Sequence, residues 1–259
     1  MKDDFSALER MTYSGRGIVM GMTPNHNTFV GYTLTGRSAS SQARKLVYDE
    51  KNSVVRTEVT DKEQLEKGSP ALLLYPAIVF TNDKIAASNG AQTNLMYTKL
   101  IVKQKDYEFN PGHALGKIFS QSSFVYDSKL GWIDLARHEP DSPNFTPRIS
   151  AYYEKDGGWA YHKASKGLGG SYTHFGIDVS PGKSKLITTY KGGNENPLLP
   201  SGRDLLNVGI SSETAKEIAD SLYKAISHGA TPQENYAVSA AVVLLNGEKP
   251  EVVIRNRFE

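Results

Sequence analysis

Short runs in which apolar and polar residues alternate make up most of the chain. Alternation with a period of two predicts β-strands, because successive side chains of a strand point to opposite faces. Turn-forming residues separate these runs, as in 23–27, 82–84, 156–158 and 180–183. Consecutive runs around such turns are expected to pair as antiparallel hairpins, including 172–179 with 185–190. The predicted strands are 13–22, 28–35, 54–59, 72–80, 85–88, 149–154, 159–163, 172–179, 185–190, 236–245 and 251–256.

Two segments carry the periodicity of a helix instead. Apolar residues in 213–229 recur at helical spacing, with serines before the segment and Gly229 as its stop signal. A second helix is predicted over 112–124, after Pro111. Antiparallel strand pairs with few helices predict an α+β layered fold in a single domain. The apolar stripe of the first helix consists of Ala215, Ile218, Ala219, Leu222 and Ile226.

Composition narrows the class of protein. The 259 residues are 39% apolar and 22% charged, which is typical of a globular protein. A net charge of +2 creates no global field that would favour nucleic acid or an anionic membrane surface as a partner. The chain has no cysteine, which excludes disulfides, thiolate metal sites and cysteine nucleophiles.

Neither a signal peptide nor a membrane span is predicted. The N-terminal segment is mixed in charge and lacks the apolar core of a signal peptide. The longest apolar run, 71–80, is about half as long as a membrane-spanning helix. A cytoplasmic protein without a membrane partner is therefore expected. The sequence does not indicate the oligomeric state and is compatible with a homo-oligomer.

Common catalytic motifs are missing from the sequence. The six histidines are scattered and have no zinc-site spacing, so no metal site is predicted. The segment GHALGK (112–117) departs from a phosphate loop in its glycine spacing, and Ile118 stands where a hydroxyl residue belongs. No serine-hydrolase elbow occurs.

A tract of small hydroxyl residues lies between Arg37 and Arg44, directly after the strand predicted over 28–35. Arginine binds phosphate or carboxylate in a planar, bidentate manner, and serine hydroxyls such as that of Ser38 add further donors. One interpretation is therefore an oxyanion site. The other is a polar surface loop with two solvated arginines.

Four segments, one of which contains this tract, occur in a distinctive order. They are YSGR (13–16), GYTLTGRSASSQAR (31–44), ASNGAQT (87–93) and HEPDSPNFTPRISA (138–151). In order and character they resemble the archaeal-type IMP cyclohydrolase family. The resemblance is best over 13–163, while 1–12 and 192–204 look like an N-terminal extension and a loop insertion. It implies one domain over 1–259, built as a four-layer αββα sandwich of two antiparallel sheets. That fold is similar to the N-terminal-nucleophile hydrolases, although the family uses no N-terminal nucleophile.

The resemblance also implies a reaction and a partner. Members of that family close 5-formamidoimidazole-4-carboxamide ribonucleotide to IMP, with loss of water, in de novo purine biosynthesis. The partner would be this small purine nucleotide, and no metal or other cofactor would be needed. A carboxamide nitrogen is a poor nucleophile, so a base must take its proton while donors stabilise the formyl oxygen.

Catalytic roles follow for matched positions. Glu139 and Asp141 are the candidates for the base, with Glu139 favoured, although prolines nearby alter the family's spacing. Asn89 would donate to the oxyanion, or would form a tight turn with Gly90. Tyr75 would stack on the purine or supply a phenol, or would pack in the core. Trp132 and Tyr107 are assigned to packing.

Binding roles follow for the remaining matched positions. Arginines would hold the phosphate or the carboxamide, and Gly90 would permit a close backbone approach. Arg16 has the alternative of pairing across the sheet. The candidate substrate-binding residues are Arg37, Ser38, Arg44, Arg16, Gly90 and Arg148.

Two other functions stay open at this point. One is an amidohydrolase with an N-terminal nucleophile, which would need processing to expose Thr12. The other is a purine-nucleotide-binding protein without turnover.

Overall fold

The computed structural model describes residues 3–102, 110–155, 157–166, 172–202, 204–229, 234–247 and 249–257. For 172–177 it describes the backbone alone. Strands predominate in these ranges. They are β1 (Arg16–Met22), β2 (Thr28–Thr35), β3 (Arg44–Asp49), β4 (Val54–Val59), β5 (Pro76–Phe80), β6 (Lys84–Ser88), β7 (Phe124–Asp127), β8 (Gly131–Asp134), β9 (Arg148–Glu154), β10 (Gly158–Ala164), β11 (Tyr172–Ile177), β12 (Lys183–Thr188), β13 (Leu206–Gly209), β14 (Ala237–Leu245) and β15 (Glu251–Asn256). The helices are α1 (Ser6–Glu9), α2 (Ala39–Gln42), α3 (Lys62–Leu65), α4 (Pro70–Leu73), α5 (Gln92–Met96), α6 (Pro111–Phe119) and α7 (Ala215–Ile226).

Two antiparallel sheets form the centre of the molecule. One has six strands in the order β13-β12-β1-β2-β14-β15, and the other has seven in the order β11-β10-β9-β6-β5-β4-β3. A separate small hairpin pairs β7 with β8. The predicted α+β class with two antiparallel sheets is confirmed.

Three apolar clusters show how the layers stack. The largest lies between the two sheets and contains Ile18, Tyr32 and Ile149. A second packs α1 and α7 against the outer face of the six-stranded sheet. A third packs α5 and α6 against the outer face of the seven-stranded sheet. Burying apolar surface contributes roughly 25 cal/mol per Å². Because each sheet buries apolar residues on both faces, the layers stack in the order helix, sheet, sheet and helix.

The helix α7 follows from its sequence pattern. Thr214 is its N-cap, and the Thr214 and Glu217 side chains form a reciprocal capping box. The helix therefore begins after Thr214 rather than directly after the serines at 211 and 212. The predicted apolar stripe is confirmed, since all five of its side chains are buried against the six-stranded sheet.

The predicted hairpin of 172–179 with 185–190 is wrong. The two strands lie in different sheets: β11 pairs with β10, whereas β12 pairs with β1 and β13. The predicted turn at 180–183 is present, with the Lys183 N–H donating to Ser180 O at 3.0 Å, but the segment that contains it connects the two sheets instead of closing a hairpin. By contrast, the predicted pairings of β1 with β2, β9 with β10 and β14 with β15 are confirmed.

Two predicted boundaries also need correction. The strand predicted over 72–80 starts only at Pro76, because Pro70 at the first helical position opens the short helix α4. The helix predicted over 112–124 ends at Phe119, and Phe124 already begins β7.

The assignment of Trp132 to packing is wrong, because 71% of its surface is exposed on β8. Tyr107 lies outside the described residues. At the N-terminal end, Phe5 and Leu8 are buried in the cluster around α7, so 3–11 packs as part of the six-stranded half. No helix among the described residues is both long and apolar enough to cross a membrane.

Candidate functional site

A cavity of about 250 Å³ opens at the end of the sandwich where β1 begins and β2 ends. The strand ends and four connecting segments bring together residues that are far apart in the sequence. Three arginines and two carboxylates belong to the lining. The lining residues are Tyr13, Arg16, Arg37, Ser38, Ser40, Ser41, Arg44, Gly68, Ser69, Leu72, Leu73, Glu139, Asp141, Asn144, Thr146, Tyr190 and Leu198.

Glu139 is held between two buried arginines. One nitrogen of Arg16, Nη2, lies 3.0 Å from Oε1 and 3.1 Å from Oε2 of Glu139. Arg148 Nη1 lies 3.6 Å from the same Oε1. Each carboxylate oxygen accepts one hydrogen bond from Arg16 Nη2 and keeps a further lone pair.

Burial dominates the electrostatics of this group. It raises the pKa of Glu139 above its usual value, although the charges of Arg16 and Arg148 act in the opposite direction. Burial likewise lowers the pKa of Arg148, and the charge of Glu139 offsets part of that change. A carboxylate with a raised pKa is suited to proton transfer near neutral pH.

Asn89 and Gln92 hold the segment that carries Arg148. The Asn89 amide donates to Pro147 O at 2.8 Å, and its oxygen accepts the Ile149 N–H at 2.8 Å. Gln92 Oε1 accepts from Arg148 Nη1 at 2.8 Å. The Asn89 side chain is buried and committed to this positioning network, outside the cavity lining.

Gly90 is the point where Arg148 approaches the backbone. A Cβ on Gly90 would lie 2.4 Å from Arg148 Nη1 and 2.7 Å from Gln92 Oε1. The absence of a side chain at Gly90 therefore accommodates Arg148, and Gly90 stands outside the cavity lining.

Arg37 lies at the mouth of the cavity. Its Nη1 donates to Asn194 Oδ1 and to Glu195 O, both at 3.1 Å. Its guanidinium carbon lies 5.3 Å from the centroid of the Tyr13 ring. Arg37 is half-buried and its contacts are to a surface loop, so its remaining donors can turn to a ligand.

Ser38 and Arg44 shape the same wall. The Ser38 hydroxyl caps α2 by accepting the Ser41 N–H at 3.2 Å. Arg44 is buried and donates to Ser41 O and Leu73 O, both at 2.9 Å, and it has no carboxylate partner among the described residues. Arg44 thus brings an uncompensated positive charge to the lining.

Tyr75 lies beneath the lining rather than in it. Its phenol is hydrogen-bonded to the phenol of Tyr32 at 3.0 Å, and Arg44 lies 6.0 Å from its ring centroid. The sequence analysis did not single out Tyr32, which is buried on β2.

The predicted loop insertion covers one side of the cavity. Leu198 is buried in the lining, and its N–H donates to Asn144 Oδ1 at 2.9 Å. Farther along, Lys163 Nζ donates to Ser201 O at 2.6 Å.

Sequence reasoning missed Thr146 and Tyr190 as lining residues. Thr146 stands in the quoted segment 138–151, but only its neighbours were assigned roles. Tyr190 ends an alternating run, and a single tyrosine at a strand end gives no further signal. Tyr13 was noted only as the start of a motif, and here its ring stacks on that of Tyr190 at 5.7 Å.

Positive charge exceeds negative charge around the cavity. Besides the lining arginines, Arg148 forms an ion pair with Glu139 from outside the cavity lining. Within the described part of the chain, the buried Nε atoms of Arg16 and Arg148 have no hydrogen-bond partner. An anionic ligand would balance this charge. The described residues contain no group of three or more His, Asp or Glu side chains that could hold a metal ion.

Two comparisons with known proteins both find similarity to IMP cyclohydrolases. A family model described as IMP cyclohydrolase-like protein matches residues 13–115. The chain is also 26% identical over 144 residues to an IMP cyclohydrolase of Methanococcus maripaludis, a match that covers 56% of this chain and 59% of that protein. The chain is thus similar to the IMP cyclohydrolase family, and the similarity spans a little over half of the curated relative. Seven of the predicted site residues fall within 13–115, whereas Glu139, Asp141 and Arg148 lie beyond that range.

Proposed function

We propose that this protein is an IMP cyclohydrolase, which closes 5-formamidoimidazole-4-carboxamide ribonucleotide to IMP with loss of water. One observation carries the proposal: a buried carboxylate with a raised pKa lies in a cavity whose remaining charge is positive. The substrate is an anion that needs a base for its reaction. The similarity to the IMP cyclohydrolase family supports the same reaction at family level.

Glu139 would act as the base. One proton of the carboxamide nitrogen goes to Glu139 as that nitrogen bonds to the formyl carbon, and Glu139 then passes this proton to the formyl oxygen, which becomes a hydroxyl. Glu139 next takes the formamido N–H proton and gives it to the leaving hydroxyl, so that water departs, the C=N bond forms and IMP results. General base catalysis of this kind contributes about 10²- to 10⁴-fold.

Arg16 would stabilise the formyl oxygen. It lines the cavity and lies beside Glu139. This is the donor role that the sequence suggested for Asn89, whose amide is bonded to Pro147 O. We therefore assign Asn89, Gly90 and Arg148 to positioning Glu139.

Arg37, Ser38 and Arg44 would bind the 5′-phosphate. All three line the cavity, and no carboxylate among the described residues forms an ion pair with Arg44. Tyr75 would support this wall from below, through Tyr32 and Arg44. The reaction needs no cofactor, and we expect it in the cytoplasm, on one domain resembling the N-terminal-nucleophile hydrolases in fold.

Processing to Thr12 is a weaker alternative. Thr12 is exposed and stands outside the lining. Cleavage before it would also remove Phe5 and Leu8 from the cluster around α7. The intact mass of the purified protein tests this directly, because a chain that retains these residues excludes a nucleophile at position 12.

Ring closure by the wild-type protein tests the proposal. The formamido ribonucleotide is supplied and IMP is measured, with 5-aminoimidazole-4-carboxamide ribonucleotide as a control that lacks the formyl carbon. IMP from the first compound alone supports the proposal. Binding of IMP without turnover would instead make this a non-catalytic nucleotide-binding protein.

A further inference from the structure

A chain of three polar side chains runs along one wall of the cavity. The Thr146 N–H donates to Asp141 Oδ1 at 2.6 Å, and the Thr146 hydroxyl is hydrogen-bonded to Asp141 Oδ2. The same hydroxyl oxygen lies 2.5 Å from the phenol oxygen of Tyr190. All three residues belong to the lining, and Thr146 and Tyr190 are almost fully buried.

The chemistry of these groups fixes the direction of the chain. The Asp141 carboxylate can only accept, so the single hydroxyl proton of Thr146 points to Asp141. The Thr146 oxygen is then an acceptor toward Tyr190, and the phenol proton points to Thr146. The phenol oxygen of Tyr190 is left with a lone pair and no proton to offer the cavity.

The tyrosine ring is held in place. It stacks on the Tyr13 ring, which in turn lies under the guanidinium of Arg37. Burial raises the pKa of Tyr190, so the phenol keeps its proton at neutral pH. Among the described residues, no second hydrogen bond to the phenol oxygen is present.

The Tyr190 oxygen is a neutral acceptor, unlike the Glu139 and Asp141 carboxylates of the same lining, whereas the arginine guanidinium groups of the cavity can only donate. A ligand that presents an N–H group to the wall at Tyr190 would find its partner there. The carboxamide of the proposed substrate has two N–H groups on the attacking nitrogen. One is lost in ring closure, and the other remains as N1–H of IMP.

We infer that Tyr190, oriented by Thr146 and Asp141, accepts the retained N–H of the substrate carboxamide and so selects nucleotides with a donor at this position. Tyr190 takes up no proton: Glu139 receives the N–H that is lost, and Tyr190 holds the nitrogen in line with the formyl carbon. The inference rests on the proposed function of this cavity. It makes Tyr190 a determinant of specificity and assigns Asp141 to positioning.

A ligand and mutant cycle tests this inference. Calorimetry measures the binding of IMP, which has N1–H, and of purine riboside 5′-monophosphate, which lacks it, to the wild type and to Tyr190→Phe. We expect the substitution to weaken IMP binding about tenfold and binding of the second nucleotide less than about twofold. Equal weakening of both nucleotides would show a structural role and overturn the inference, as would no weakening of IMP binding.

Thr146 provides an independent pair of variants should Tyr190→Phe fail to fold. Thr146→Ser retains the hydroxyl and should keep the preference for IMP, whereas Thr146→Val should abolish it. The same preference in both variants would overturn the inference.

Ring closure by the wild type separates the two proposals. If the wild type neither closes the ring nor binds IMP, the proposed function and this inference both fall. If it closes the ring and the cycle shows no selective effect, only the inference falls.

Discussion

Arg16 and Glu139 lie 123 residues apart in the sequence and form a buried ion pair, with Arg16 Nη2 at 3.0 and 3.1 Å from the two carboxylate oxygens. The pair joins the start of β1 in one sheet to the loop before β9 in the other. Breaking a buried pair by removing one partner costs about 3 to 5 kcal/mol. The contact therefore fixes the two halves of the cavity relative to each other and orients the proposed base.

Arg37→Ala should weaken the binding of IMP at least about tenfold, because it removes a cation from the wall proposed to hold the phosphate. Calorimetry measures the change. Arg10→Ala is the matched control, since Arg10 is an exposed arginine outside the cavity lining. Unchanged affinity in Arg37→Ala would remove Arg37 from the phosphate site.

Asp141→Asn should affect KM more than kcat. The carboxylate accepts two hydrogen bonds from Thr146, and an amide can instead donate to the Thr146 oxygen and reverse the chain to Tyr190. We expect kcat to stay within about tenfold of the wild type, whereas Glu139→Gln loses about 100-fold or more. Steady-state kinetics of the two variants decides between them, and the opposite order would make Asp141 the base.

The pH dependence of kcat/KM should show an acid limb above pH 4.5. A base works in its ionised form, and burial raises the pKa of Glu139 above its usual value of 4.5. Activity is therefore lost as the pH falls through that raised pKa. A limb at or below pH 4.5 would contradict the assignment of Glu139 as the base.

Gly90→Ala should lower both stability and activity. The new methyl group would lie 2.4 Å from Arg148 Nη1, so the Arg148 guanidinium must shift from its place beside Gln92 and Glu139. Overpacking of this kind costs about 1 to 3 kcal/mol. Thermal unfolding tests it against Gly209→Ala, whose methyl group would meet no heavy atom closer than 3.8 Å. Equal unfolding temperatures in the two variants would show that Arg148 is not held at Gly90.

Local patterns predicted the parts of the fold that depend on neighbours in sequence. The turn at 23–27 and the alternating runs beside it define the β1 and β2 hairpin, and the apolar stripe defines α7. The pairing of β12 failed because its partners, β1 and β13, are distant in sequence. A turn of suitable composition between 179 and 185 did not decide the pairing.

The sequence predicted the types of residue in the candidate site better than it predicted the contacts between them. Arginines beside small hydroxyl residues indicated an anion site, and Arg37, Ser38 and Arg44 do line one cavity. The commitment of Asn89 to Pro147 O and the place of Tyr190 depend on contacts between distant segments. Such contacts arise from packing of the two sheets, which periodicity along one strand does not encode.

Ring closure by wild type, Glu139→Gln and Arg10→Ala, measured side by side with IMP binding, is the decisive test of Glu139 as the base of an IMP cyclohydrolase. We expect turnover in the wild type and in Arg10→Ala, and a loss of about 100-fold or more in Glu139→Gln, with IMP still bound by the folded variant. Full turnover in Glu139→Gln, or no turnover in the wild type, would contradict it.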